Sequence, residues 1–193
     1  MLELSPLNHS GTVLLETKRL ILRPTAISDA EQMYNNWASD PEVTKYLTWQ
    51  PHADIEASKA VLAEWDKENE RVDYYHWGMV LKESGQIVGT GGALGIDEEH
   101  QSTELGYCIS RACWGKGYMS EAVSAMIEYL FDVVGLNRIV ARHYPENIAS
   151  GRVMEKCGMA FEGIQRQAHY HPKFGFVDLV CYAILRSDFE KTR

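Results

Sequence analysis

Between Glu104 and Gly135 the hydrophobic period of the chain changes from two to nearly four across a pair of glycines. In Glu104-Leu105-Gly106-Tyr107-Cys108-Ile109 the large residues Leu105, Tyr107 and Ile109 alternate with smaller or polar ones, as in a half-buried strand. Ser110 to Trp114 then lead into Gly115-Lys116-Gly117. Beyond them Met119, Ala122, Val123, Met126, Ile127, Leu130, Val133 and Val134 recur at steps of three and four, the apolar stripe of an amphipathic helix, and Gly135 offers a stop. A helix entered through such a turn presents unpaired N–H groups at the positive end of its dipole, which suits a phosphate. Two glycines also serve purely structural turns, so the rest of the chain decides between the two uses.

A chain of 193 residues is long enough for one domain with a substantial core, and 45% hydrophobic with 24% charged residues is the composition of a globular protein. The net charge of −8, without a run of lysines or arginines, argues against direct nucleic-acid binding or an anionic membrane surface and favours a cationic substrate. Cys108, Cys113, Cys157 and Cys181 form no C-x-x-C pair and read as free thiols of a reducing compartment. Residues 1–12 lack the pattern of a secretory signal, and no apolar run approaches the ~20 residues of a membrane span. A cytoplasmic protein is expected.

Residues 1–13 read as a tail or lead-in, and residues 14–193 as a single domain. Leu14 to Pro24 reads as the first strand. A helix follows over Ala30 to Ala38, capped by Ser28 or Asp29 and broken by Asp40-Pro41; a second starts at Asp54 and ends in the charged stretch Asp66 to Asp73. Between them Tyr46, Leu47 and Trp49 form an aromatic loop that either lines a pocket or packs the helices together. His76 to Lys82 and Gln86 to Ala93 read as a hairpin about Glu83-Ser84-Gly85, and Gly89, Gly91, Gly92 and Gly95 read as bulges or close backbone contacts. After the central unit come a strand at Asn137 to His143, a helix at Asn147 to Lys156, and two strands, Met159 to Gly163 and Phe176 to Leu185. A polar loop, Gln165 to Gly175, joins the last two.

Glu104-Leu105-Gly106-Tyr107, Trp114-Gly115-Lys116-Gly117-Tyr118 with Glu121-Ala122, and Glu146-Asn147 to Ser150 with Glu155-Lys156-Cys157-Gly158-Met159 resemble the GNAT superfamily of N-acetyltransferases. More narrowly the chain looks like its RimJ/RimL branch, whose named members acetylate the N-terminal amines of ribosomal proteins. The resemblance extends over about residues 14 to 189, including Leu15-Glu16-Thr17-Lys18-Arg19-Leu20 and Asp40-Pro41-Glu42-Val43. It implies an α/β (α+β) single-domain fold: a mixed, mostly antiparallel sheet splayed between its fourth and fifth strands, with helices on both faces. It also implies acetyl coenzyme A as donor, with the pyrophosphate on the amides of Gly115, Lys116, Gly117, Tyr118 and Met119. The pantetheine arm would lie along the backbone of Cys108, Ile109 and Ser110 and meet the side chain of Asn147. Asparagine at a helix start is equally an N-cap, and the two roles are compatible. The tyrosine used as general acid by many members would fall at Met154, and Ser150 occupies the position of its substitute in this branch.

Acetyl transfer requires a neutral amine, a polarised thioester carbonyl and a thiolate able to leave. A lysine amine near ~10.4 costs about 4.6 kcal/mol to deprotonate at pH 7, an α-amine near ~8 only about 1.4 kcal/mol. Glu104, at the expected splay, is the candidate base for that small task, directly or through a water; the competing reading makes it a strand-end carboxylate in an ion pair. Ser150 would donate to the departing sulfur, or would only satisfy the first turn of its helix. His169 and His171 share a strand face, but two histidines without a third ligand make no metal centre, and none is expected. A dinucleotide oxidoreductase fits less well, because Ser120 replaces the third glycine and Arg142-His143 stand where an acidic residue belongs. The acceptor stays open among a ribosomal-protein N-terminus, another peptide amine, a polyamine and an aminoglycoside. A coenzyme A-binding module without turnover, and a monomer or a homodimer, are open as well.

Overall fold

The computed structural model describes residues 5–191. Its eight strands form one sheet in the order β1-β2-β3-β4-β5-β6-β8-β7. They are β1 (Leu15–Glu16), β2 (Leu20–Arg23), β3 (His76–Leu81), β4 (Ile87–Asp97), β5 (Ser102–Ile109), β6 (Arg138–His143), β7 (Ala160–His171) and β8 (Gly175–Leu185). Every neighbouring pair is antiparallel except β5 and β6. Helices α1 (Ala30–Met33), α2 (Pro41–Thr44) and α3 (Ile55–Glu68) cover one face; α4 (Tyr118–Tyr129) and α5 (Ile148–Lys156) cover the other; α6 (Arg186–Lys191) ends the described chain.

The larger core lies on the second face. Trp77, Met79 and Ile139 from the strands meet Ala122, Val123, Met126 and Leu130 of α4 and its continuation, all but fully buried. The smaller core joins Met33, Trp37 and Leu62 to Val80 and Ile87. Both follow from the alternation of side chains across a strand, which sends successive residues to opposite helical layers. The glycines of β4 hold it close to its neighbours. A Cβ on Gly89 would lie 2.4 Å from the Cys108 carbonyl oxygen, and one on Gly92 2.1 Å from that of Tyr75.

Three expectations change. The first strand is two, because Thr17 and Arg19 turn the chain to bond Glu121 of α4; the splay therefore falls between β5 and β6 in the observed numbering. The polar loop at Gln165 to Gly175 is mostly strand, for β7 runs to His171 before a tight turn. This outermost strand is exposed along most of its length, so it lacks the alternation that betrays a half-buried strand. The helix α6 was not anticipated. Residues 5–13 carry no regular element but lie along the domain, with Asn8 N–H on the Val134 carbonyl at 2.8 Å and Gly11 N–H on that of Val72 at 2.7 Å. Among the described residues no helix is long and apolar enough to cross a membrane.

Candidate active site

The parallel pairing of β5 with β6 joins Ser102, Thr103 and Glu104 to Arg138, Ile139 and Val140, and ends there. Beyond Glu104 each strand follows its other neighbour, β5 beside β4 to Ile109 and β6 beside β8 to His143, so a wedge opens between them. Ser110 donates its N–H to the Val88 carbonyl at 2.7 Å, on the β4 side. By alternation the peptide groups of Leu105, Tyr107 and Ile109 face the wedge. The Ile109 carbonyl there receives the Trp114 indole N–H at 3.0 Å.

The strand runs on through a 3₁₀ turn at Arg111–Cys113 into the two glycines. Gly115 and Gly117 take φ of 72° and 79°, left-handed values that a side chain disfavours, and Gly117 caps α4. Among the described residues the backbone N–H groups of residues 115–120 have no acceptor; the first inward bond of the helix is Glu121 N–H to the Gly117 carbonyl, 3.1 Å. Space over the turn is open, since a Cβ on Gly115 would meet nothing within 4 Å. Free amides at an uncovered helix start form a seat for an anion.

Arg19 and Glu121 fix this seat. Glu121 accepts from Thr17 Oγ1 at 2.6 Å and from the Arg19 N–H and Nε at 2.7 Å each. Arg19 also donates to the Lys116 carbonyl at 2.9 Å and stacks 4.3 Å over the Tyr118 ring. Desolvation raises the Glu121 pKa, but the bonds from Thr17 and Arg19 outweigh it and hold the carboxyl below its ordinary value. Arg111 turns away from the seat to Asp40, 3.0 Å.

At the mouth of the wedge Glu104 receives Arg142 Nε at 3.0 Å and a second bond from Nη2. Glu104 stands in the last paired rung of β5 and β6 and Arg142 two residues past it on β6, and the carboxylate hydrogen bond raises the Arg142 pKa. On the opposite face of β5 the Tyr107 hydroxyl lies 3.1 Å from Ser150 Oγ and 3.2 Å from the Ser150 carbonyl. Burial pushes the Tyr107 pKa upward, which keeps its proton in place as a donor. Asn147 caps α5, its Oδ1 accepting the Ser150 N–H at 3.4 Å. Next to it His143 gives Nδ1 to the Tyr144 carbonyl at 2.7 Å and rests against Gly151, where a Cβ would come within 2.8 Å of Nε2.

The wedge opens on the α1–α3 side into a cleft of ≈ 870 Å³ that Glu104, Cys108, Asn147 and Ser150 all line. The aromatic loop supplies Tyr46 and Trp49 to its wall, and α3 and the approach to β3 supply Trp65 and Tyr74. Thus Glu104, Ser150, Asn147 and Cys108 line one opening; Ile109 and Ser110 are buried beyond it, and Gly115 to Met119 follow past the far end of β5. Within that set Cys108 turns its thiol to Thr90 at 3.7 Å, and burial raises its pKa. Tyr118 and Met119 are buried and offer only backbone. Met154, at the position of the absent tyrosine, is core.

The Tyr107 hydroxyl, the Arg142 counter-charge and the Arg19–Glu121 clamp were not foreseen, although strand alternation already placed Tyr107 on the face opposite Glu104. His169 and His171 both pack on Tyr144, and His171 is buried with Nδ1 accepting the Lys173 N–H at 3.1 Å. Among the described residues no group of three or more His, Cys, Asp or Glu is placed to hold a metal.

Residues 19–160 match the acetyltransferase (GNAT) domain family. An uncharacterized N-acetyltransferase, p20 of Bacillus licheniformis, is 33% identical over 175 residues, 91% of this chain and 97% of that protein. The [ribosomal protein uS5]-alanine N-acetyltransferase of Escherichia coli is 26% identical over 160 residues, 78% of this chain and 80% of its own. The crystal structure of a GNAT-family acetyltransferase from Bacillus anthracis superposes with a TM-score of 0.79 at 29% identity, covering 91% of this chain and 99% of that one. The open wedge, the free amides behind it and these relatives agree: the chain belongs to the GNAT family and is an N-acetyltransferase.

Proposed function

We propose that this acetyltransferase takes acetyl coenzyme A as donor and the α-amine of a protein or peptide N-terminus as acceptor. The observation that carries the donor is a pair of backbone stretches, the edge of β5 that leaves β6 beyond Glu104 and the N–H groups without an acceptor at the start of α4, joined by a short turn. An extended arm bearing amides suits the strand edge, and a pyrophosphate suits the helix start. The acceptor reading draws on the E. coli relative named for an N-terminal alanine and on the modest basicity that an α-amine asks of the site.

In this reading the amine enters from the cleft and attacks the thioester carbonyl at the wedge. Glu104, paired with Arg142, accepts the amine proton directly or through one water. A strand N–H at the open edge of β5 receives the carbonyl oxygen as it becomes negative. The bond from carbonyl carbon to sulfur breaks, and the Ser150 hydroxyl, seated on that of Tyr107, donates to the sulfur that leaves. Asn147 combines its cap with a contact to the donor arm. No covalent enzyme intermediate is needed.

The test is thiol release from acetyl coenzyme A with a panel of acceptors: peptides with free N-termini, the same peptides with blocked N-termini and one lysine, a polyamine and an aminoglycoside. Free N-termini should be consumed at least about tenfold faster than the other acceptors, as the difference in amine pKa favours them. Faster turnover of the polyamine or the aminoglycoside, or binding without thiol release from any amine, contradicts the proposal.

A further inference from the structure

The acceptor cleft is not electrically even along its length. At the wedge Glu104 and Arg142 offset each other. At the outer rim one guanidinium serves two carboxylates: Arg71 binds Asp73 through two bonds of 3.0 Å and reaches Glu68 at 2.7 Å. A third rim carboxylate, Glu98, accepts from His9 Nε2 at 2.6 Å, while His9 Nδ1 meets the Tyr75 hydroxyl at 2.7 Å. The two ring nitrogens of His9 thus tie the Glu98 carboxylate to the Tyr75 hydroxyl at the edge of the cleft. Three rim carboxylates against one guanidinium leave an excess of two negative charges, beside the rings of Trp65 and Tyr74.

The floor between rim and wedge carries a second sign of a ligand. His76 lies 4.2 Å beneath Trp65, and its Nδ1 is buried without a hydrogen-bond partner. Desolvation pushes its pKa down to about 4, so it adds no positive charge to the cleft. A free polar atom under an aromatic lid suits a peptide group passing over it. The span is right for a short peptide, since His76 pairs with Gly92, which pairs with Gly106 of β5. Two strand spacings are roughly 10 Å, the reach of about three extended residues.

We infer that the rim holds a second positive charge of the acceptor, so that the preferred substrate is a peptide N-terminus with Lys or Arg at its second or third residue. The inference rests on reading this cleft as the seat of an N-terminal amine. The negative rim and the aromatic rings select the basic side chain, and the His76 nitrogen meets the intervening backbone.

Three peptides that differ only at positions two and three, with Lys, Ala or Glu there, test it by kcat/KM at low and high salt. The Lys peptide should exceed the Glu peptide by about tenfold or more at low salt, with a smaller ratio at high salt. Glu68→Lys should erase or invert the order; Glu68 is only half-buried, and an unchanged melting temperature verifies the fold. Equal use of the three peptides, or an undiminished Lys preference in Glu68→Lys, overturns the inference while N-terminal acetylation stands. Failure of all three peptides beside turnover of a polyamine overturns the inference and the acceptor reading together.

Discussion

Glu104 sits in an ion pair with Arg142 at the wedge, and the task the proposed reaction sets it is small. An α-amine costs only about 1.4 kcal/mol to deprotonate at pH 7. Glu104→Gln should therefore lower kcat/KM about tenfold at pH 7, and the deficit should widen as pH falls, since the variant must wait for an amine already neutral. A pH profile parallel to that of the wild type would contradict the assignment. His76 makes a different prediction. Its folded pKa lies near 4, below the ordinary 6.5, so the unfolded chain binds the extra proton first. Its contribution is fully present above pH 6.5 and is lost as pH falls toward 4, an effect of about 3 kcal/mol. Thermal melts from pH 7 to 4.5 should show a shallower decline for His76→Gln than for the wild type; equal slopes would contradict the desolvated imidazole.

Among the elements, α4 and its turn were legible because the sequence carries their physics locally. The stripe of three- and four-residue steps requires a helix, and the glycines require the turn. Asn147 was legible as the cap of α5 for the same reason. What holds α4 in place was not legible: Arg19 and Glu121 are brought together across 102 residues, and nothing local to either marks the other. The Glu104–Arg142 pair exists only because β5 and β6 are parallel neighbours, and the Tyr107–Ser150 contact only because α5 packs beside the wedge. The start of strand β7 was read at Met159 to Gly163, but its continuation to His171 was missed, because an exposed edge leaves no period to read. The clamp has a consequence for binding. Glu121→Ala removes the acceptor of Thr17 and Arg19 and frees the Lys116 carbonyl's partner, so the helix start should lose its fixed position. Affinity for coenzyme A in a calorimetric titration should fall about tenfold, and stability by about 1–3 kcal/mol. Unchanged affinity with an unchanged melting temperature would show that the clamp has no part in holding the seat.

For the whole molecule, the fold follows from two helical layers burying the alternate faces of one sheet, and the proposed reaction is placed where β5 and β6 part beyond Glu104. The wedge joins two recognition problems. In the proposed reading, backbone groups at the edge of β5 and the start of α4 receive the donor on one side, and an acidic, aromatic cleft receives the amine on the other. The donor side was readable as a motif because it consists of backbone and glycines. The acceptor side was not, because its carboxylates come from α3, the approach to β3 and the end of β4, and meet only in the folded chain. The central claim is that coenzyme A lies on the amides from the β5 edge to α4. Backbone amide NMR with and without coenzyme A tests it directly. The account predicts shift changes and exchange protection concentrated at residues 115–120 and at the wedge-facing amides of Leu105, Tyr107 and Ile109. Binding that leaves those amides unperturbed, or perturbs a different surface, would contradict it.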